Sequence, residues 1–133
     1  MIYGIGIDIS EVRRFEKWVE NPCMLQRFFN KNELLVGYNS GYTEKTSPAF
    51  KAACRHYAVR FAAKEAFSKA LGTGLEGIDL CDIWIYNEHS GKPVIRVQGK
   101  TAELLDRRCG PCHIHVSLTH ERETAAAVVV IEI

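Results

Sequence analysis

Between Ser47 and Gly72 the chain carries one uninterrupted helical pattern, and everything else must be arranged around it. Ser47-Pro48 is a strong start: the serine hydroxyl can accept from an orphan N–H of the first turn, and proline is tolerated there because its missing N–H would have no partner. Nothing breaks the pattern before Gly72, which ends it after Leu71. At 1.5 Å per residue the helix is about 36 Å long, as long as a small domain is wide. Phe50, Cys54, Tyr57 and Phe61 make its apolar stripe, and Ala53, Ala58 and Ala62 allow a strand or helix to approach closely.

Shorter elements flank this helix. Ile5, Ile7 and Ile9 alternate with Gly4, Gly6 and Asp8, a period of two that predicts a strand with one apolar face and one face of small residues, with Asp8 on the roomier side. Ser10 is placed to cap a helix from Glu11 to about Val19, with Val12, Phe15 and Val19 inward and Arg13, Arg14 and Lys17 outward. A second short helix is expected over Met24 to Val36, followed by a polar, glycine-containing, mobile loop over 37–47. Ile83 to Tyr86 and Val94 to Val97 read as a hairpin, Thr101 to Arg107 as a short helix, and Ile114 to Leu118 with Ala125 to Ile133 as a closing hairpin. There are too few βαβ units for a doubly wound sheet. The expected fold is α+β, a mostly antiparallel sheet packed on a long central helix, with residues 1–133 forming one domain and one core.

Bulk properties narrow the function classes. A chain of 133 residues, 47% apolar and 25% charged, is an ordinary globular domain that needs neither disulfides nor a structural metal to fold. A net charge of +1 argues against a general nucleic-acid or membrane binder, so any anion site must be local. Five cysteines fit a disulfide framework poorly and a reducing compartment better. With no basic start, no uninterrupted apolar leader and no run near the length of a membrane span, a cytoplasmic location is expected.

Several constellations carry possible chemistry. His56, Arg60 and Lys64 recur at intervals of four along the long helix, where like charges repel unless an anion lies beside them; a solvated helix face explains the spacing equally well. Glu65 and Lys69 are one turn apart, as in an ordinary surface ion pair. Asp8 and Glu65 together would suffice for Mg²⁺, which takes oxygen ligands and often only one or two protein carboxylates, although on its own pattern Asp8 reads first as a strand-end residue capping the next helix. Gly4-x-Gly6 is not a dinucleotide fingerprint, because position 9 is Ile9 and the glycines lie within a strand. Ser117, Thr119 and His120 can contact a phosphate or simply close a turn, and no third group is visible to make a catalytic triad. Cys109-Gly110-Pro111-Cys112 is the tetrapeptide of thioredoxin-like oxidoreductases. Here it follows a helix instead of opening one, so turn chemistry ranks above redox, and redox above a zinc site completed by His113 and His115.

Five segments in order, Gly4-Ile5-Gly6-Ile7-Asp8-Ile9, Arg60-Phe61-Ala62-Ala63-Lys64-Glu65-Ala66-Phe67-Ser68-Lys69-Ala70, Gly72-Thr73-Gly74, Gly91-Lys92-Pro93 and Val116-Ser117-Leu118-Thr119-His120, resemble the small acyl-carrier-protein synthase family of phosphopantetheinyl transferases. The resemblance runs from the first strand to the last hairpin; only residues 36–50 and 98–112 look idiosyncratic, and the Cys-Gly-Pro-Cys turn lies in the second of these. It implies a phosphopantetheinyl transferase-like fold and transfer of the 4′-phosphopantetheine arm of coenzyme A to a serine of apo acyl carrier protein, in support of fatty acid biosynthesis. It implies Asp8 and Glu65 as Mg²⁺ ligands, Lys69 at the phosphoryl group in flight, and Arg60, Lys64, Gly91, Lys92, Pro93, Ser117, Thr119 and His120 at the coenzyme. For the proton acceptor the chemistry leaves two options open, Glu65 itself or a metal-bound water relayed to a carboxylate such as Glu33. Arg13, Arg14 and Lys17 match the docking surface for the acidic carrier, and family members of this size resemble homotrimers with shared sites. The alternative is a thiol-disulfide oxidoreductase using Cys109 and Cys112.

Overall fold

The structure is a computed structural model and describes residues 1–35 and 44–133. Its elements run β1 (Ile2–Glu11), a 3-10 turn (Val12–Phe15), α1 (Glu16–Val19), α2 (Pro22–Phe28), a 3-10 turn (Lys31–Glu33), α3 (Pro48–Leu71), a 3-10 turn (Leu80–Asp82), β2 (Ile83–Asn87), β3 (Pro93–Val97), α4 (Gly99–Cys109), β4 (His113–His120) and β5 (Thr124–Glu132). All strand pairs are antiparallel, in a three-stranded sheet of order β1-β5-β4 and a two-stranded ribbon β2-β3. The α+β architecture built on a central helix is as expected.

Helix α3 begins and ends where its sequence says it should. The Phe50 N–H donates to the Ser47 hydroxyl at 3.1 Å, and Gly72 takes the left-handed conformation at φ 82° that closes the last turn. The core lies along its length. Phe15, Trp18, Phe29, Phe50, Tyr57 and Phe61 pack about its first half; Phe67, Leu71, Ile83, Ile85, Val129 and Ile131 pack about its second.

The N-terminal segment differs from expectation in a way that matters for the site. β1 continues through Ser10 to Glu11, so Ser10 is a buried strand residue, and the expected Glu11–Val19 helix is divided into a 3-10 turn and a single α turn. Extension wins because residues 8–11 each pair across to β5, Asp8 with Ala127 and Ser10 with Ala125. Asp8 is therefore a mid-strand residue, not a helix cap. The helix expected over Met24 to Val36 is likewise shorter, stopping at Phe28 before a capping box in which Asn30 and Glu33 bond each other's backbone N–H groups or those adjacent. The loop expected over 37–47 lies mostly outside the described residues, as does Val36.

The two faces of β1 are used in an unexpected sense. Gly4, Gly6 and Asp8 face α3, while Ile5, Ile7 and Ile9 face outward and are 61 to 69% exposed. A Cβ on Gly6 would collide with the carbonyl oxygen of Ala66, and one on Gly4 with that of Ala70. Neither glycine has a positive φ, so the requirement is steric: the strand lies directly against the helix backbone, with alanines opposite glycines. That close approach carries Asp8 to the second half of α3. No helix among the described residues is long and apolar enough to cross a membrane.

Candidate active site

Where β1 meets α3, three charged side chains converge. Lys69 Nζ donates to Asp8 Oδ1 at 2.9 Å and to the carbonyl of Ile7 at 2.9 Å. Glu65 lies one helical turn before Lys69, and its carboxyl is held above the ordinary range, chiefly by partial burial and then by the negative charge of Asp8; Lys69 and Arg14 oppose the shift. Two carboxylates close enough to repel, with one ammonium paired to Asp8 alone, have room to gain from a second cation. The Lys69 side chain is 51% exposed and Asp8 18%, so the cluster opens to solvent at the sheet edge.

This pair fits a magnesium ion in kind and number. Among the described residues no group of three or more His, Cys, Asp or Glu is placed to hold a metal, so any ion here has at most two protein carboxylates and depends on other oxygens. A phosphate-bearing ligand supplies such oxygens.

The basic stripe on α3 faces inward, contrary to its expected role. Lys64 is wholly buried: its ammonium pairs with Glu33 at 2.5 Å and donates to the carbonyls of Leu80 at 2.9 Å and Phe28 at 3.0 Å, so its three donors are committed inside the protein. It is not available for a coenzyme phosphate. Burial pushes Lys64 down and Glu33 up, while their charges act in the opposite sense on each other. Glu33 also accepts from the N–H groups of Asn30 and Ile85, both at 3.1 Å, and is 2% exposed, which removes it as a proton relay for the Asp8 cluster. His56 donates from Nε2 to the Glu33 carbonyl at 2.7 Å, and burial holds its pKa down to about 4, so it is neutral. Arg60 bonds the carbonyls of Ile85 and His56, both at 3.3 Å, and remains only partly exposed. The anion that the stripe calls for is thus the chain's own Glu33. The signal for it was the Asn30-x-x-Glu33 capping box, easily passed over beside a longer helical pattern.

The remaining candidates are carried by other elements. Gly91, at φ 89°, and Lys92 form the β2-β3 turn, and Lys92 and Pro93 line a groove of about 480 Å³ with Arg96, His113 and His115. Ser117 pairs with Val128 and Thr119 with Ala126, which puts both hydroxyls on the outward face with Ile7 and Ile9; His120 falls on the opposite face. Arg13, Arg14 and Lys17 are all exposed, as expected, and the Arg14 guanidinium lies 5.1 Å above the Phe61 ring. Arg13 also borders a groove of about 730 Å³ with Lys51, Arg55 and Arg122. Lys51 and Arg55 are four apart on α3, a spacing that could have marked this groove.

Cys109 is the last residue of α4 and Cys112 immediately precedes β4. The Cys109 thiol is pushed up to about 11, burial being the main cause and Cys112 the next. A catalytic thiol requires the reverse shift at a helix N-terminus. The oxidoreductase alternative therefore finds no support in position or in acidity.

Comparison with known proteins shows the family. The sequence matches the family model of the 4′-phosphopantetheinyl transferase superfamily over residues 4–129. It is 50% identical over 132 residues to the holo-[acyl-carrier-protein] synthase of Treponema denticola, covering 99% of each chain. Its structure is similar to the crystal structure of holo-[acyl-carrier-protein] synthase from Neisseria meningitidis, with a TM-score of 0.81 and 32% identity over 100% of both chains. It is also similar to the holo-(acyl-carrier-protein) synthase from Bacillus anthracis in complex with CoA (3′,5′-ADP), with a TM-score of 0.74 and 34% identity over 99% of this chain and 97% of that one. With full-length relatives on both measures and the matched region spanning the Asp8, Glu65 and Lys69 cluster, the chain belongs to the 4′-phosphopantetheinyl transferase superfamily.

Proposed function

We propose that this chain moves the 4′-phosphopantetheine group of coenzyme A to a serine of apo acyl carrier protein, giving the holo carrier and adenosine 3′,5′-bisphosphate, with the reacting phosphate held over Asp8, Glu65 and Lys69. The observation that carries the reading is the convergence of those three side chains where β1 meets α3, in a chain whose relatives are holo-[acyl-carrier-protein] synthases. The nucleophile belongs to the partner, which accounts for a site without an activated serine or cysteine. The enzyme's part is positioning and charge neutralisation.

Asp8 and Glu65 are the residues that would hold Mg²⁺, which when bound neutralises charge on the pyrophosphate and its leaving oxygen. Lys69 is near enough to Asp8 to turn from it to a phosphoryl oxygen without leaving the site. Glu65, with its carboxyl raised toward neutrality, is the carboxylate suited to take the serine proton. Arg13, Arg14 and Lys17 form a basic surface beside the cluster, suited to an acidic carrier protein.

Lys92, Ser117, Thr119 and His120 retain their proposed place at the coenzyme, and Arg60 is a weaker candidate now that its guanidinium bonds two carbonyls. Because Ser117 and Thr119 share the outward apolar face of β1 and β5, a homotrimer that buries this face would place them beside a neighbouring copy's site. We read residues 1–133 as a single cytoplasmic transferase domain serving fatty acid biosynthesis. The test is incubation with coenzyme A, Mg²⁺ and apo acyl carrier protein, followed by mass spectrometry of the carrier. Phosphoryl-linked transfer adds about 340 Da, the mass of the arm. No added mass across several carriers would overturn the proposal.

A further inference from the structure

The Cys109-Gly110-Pro111-Cys112 segment takes no part in the transferase reading, yet it is built with some care. Gly110 ends α4 at φ 66° and ψ −153°, a backbone region reserved in practice for glycine, and its N–H donates to the Asp106 carbonyl at 2.8 Å. Pro111 then fixes the next φ, so the chain doubles back and β4 starts directly after Cys112. The consequence is that both thiols come to the same side of the turn: Cys109 and Cys112 pack with Leu105 against one apolar cluster, and the Cys109 thiol donates to the Leu105 carbonyl at 3.1 Å. The other three cysteines are placed differently. Cys23 is exposed on α2, Cys54 is buried in the core, and Cys81 is directed at the carbonyls of Gln26, Arg27 and Phe29.

We propose that Cys109 and Cys112 are a modification site that closes reversibly to an intramolecular disulfide, with a low-molecular-weight disulfide such as glutathione disulfide as the oxidant. Cys112 is the entry sulfur, because it lines the open groove beside Lys92 and Arg96. Its thiolate attacks one sulfur of the oxidant and releases one glutathione as thiolate, which takes up the proton that Cys112 has lost. Cys109 then loses its proton and attacks the Cys112 sulfur of the mixed disulfide, releasing the second glutathione. Two protein thiols are oxidised and one small disulfide is reduced to two thiols, so atoms and electrons balance.

The position also sets the character of the pair. At a helix C-terminus the carbonyl ends of the helix disfavour a thiolate, opposite to the arrangement that makes catalytic dithiols fast. A reduced form that gains no stabilisation leaves the disulfide favoured at equilibrium, and a scarce thiolate makes it slow to form. The pair therefore behaves as a slowly set internal bond and not as a turnover catalyst. This inference stands apart from the transferase reading and can fail without it.

The test uses the full chain equilibrated with glutathione disulfide, quenched in acid, alkylated, digested and mapped by mass spectrometry. The expected result is that the Cys109–Cys112 peptide loses two hydrogens and escapes alkylation, while Cys54 and Cys81 remain thiols, and that dithiothreitol restores it. Cys109→Ser should instead accumulate a glutathione adduct on Cys112. If both cysteines alkylate fully after long equilibration, or if the wild-type product is a stable mixed disulfide at Cys112 that Cys109 never resolves, the proposal is overturned. A chain that proves insoluble after oxidation is covered by the Cys109→Ser arm, where absence of the Cys112 adduct counts against it.

Discussion

The Glu65 carboxyl is the residue on which the account turns. Partial burial and the Asp8 charge both favour its protonated form, and only Lys69 and Arg14 oppose them. Its folded pKa therefore lies above its unfolded one. The folded state holds this proton more tightly, so the group's contribution to stability is fully present below the unfolded pKa and is lost as pH rises through the folded pKa. Binding of a divalent cation requires the ionised form, so metal affinity must weaken on acidification at a higher pH than an ordinary glutamate would give. Followed by carboxyl NMR, Glu65 should titrate above the usual glutamate range, and Asp8→Asn should move its midpoint down by removing the like charge. A midpoint unaffected by Asp8→Asn would separate the two carboxylates and dissolve the proposed site.

At the scale of elements, what could be read in advance was whatever depends on local patterning. The ends of α3 follow from Ser47, Pro48 and Gly72; the β2-β3 and β4-β5 hairpins follow from alternation and turn residues. Asp8, Glu65 and Lys69 looked ordinary by spacing, and only family resemblance joined them, because their meeting depends on how closely β1 packs against α3. The Gly4 and Gly6 contacts with Ala70 and Ala66 make that approach possible, yet glycines opposite alanines sixty residues away leave no periodic signature. The same limit explains the misplaced stripe. His56, Arg60 and Lys64 at intervals of four define a face, whereas which way that face turns is decided by Glu33 and the backbone of β2 packed on it. A buried pair of this kind is held by both partners: leaving one charge behind typically costs about 3 to 5 kcal/mol, more than the pair itself contributes.

For the whole molecule, the outward face of β1 and β5 is the feature one chain leaves unresolved. Ile5, Ile7 and Ile9 lie beside Val130, Val128 and Ala126, an apolar surface continuous across two strands. Exposed patches of that type mark association surfaces. With a chain mass of 15.0 kDa, sedimentation should give three times that value, and Ile7→Glu should shift it toward one copy; a wild-type monomer would contradict the shared-site reading. The central claim remains that Asp8 and Glu65 are too few to hold magnesium alone and depend on the oxygens of the coenzyme. Calorimetric titration of Mg²⁺ with and without coenzyme A tests this most directly. The account predicts affinity at least about tenfold higher with the coenzyme present, a coupling of about 1.4 kcal/mol, and loss of that gain in Asp8→Ala and Glu65→Ala. Equal affinity in both titrations, or an undiminished gain in either variant, would contradict it.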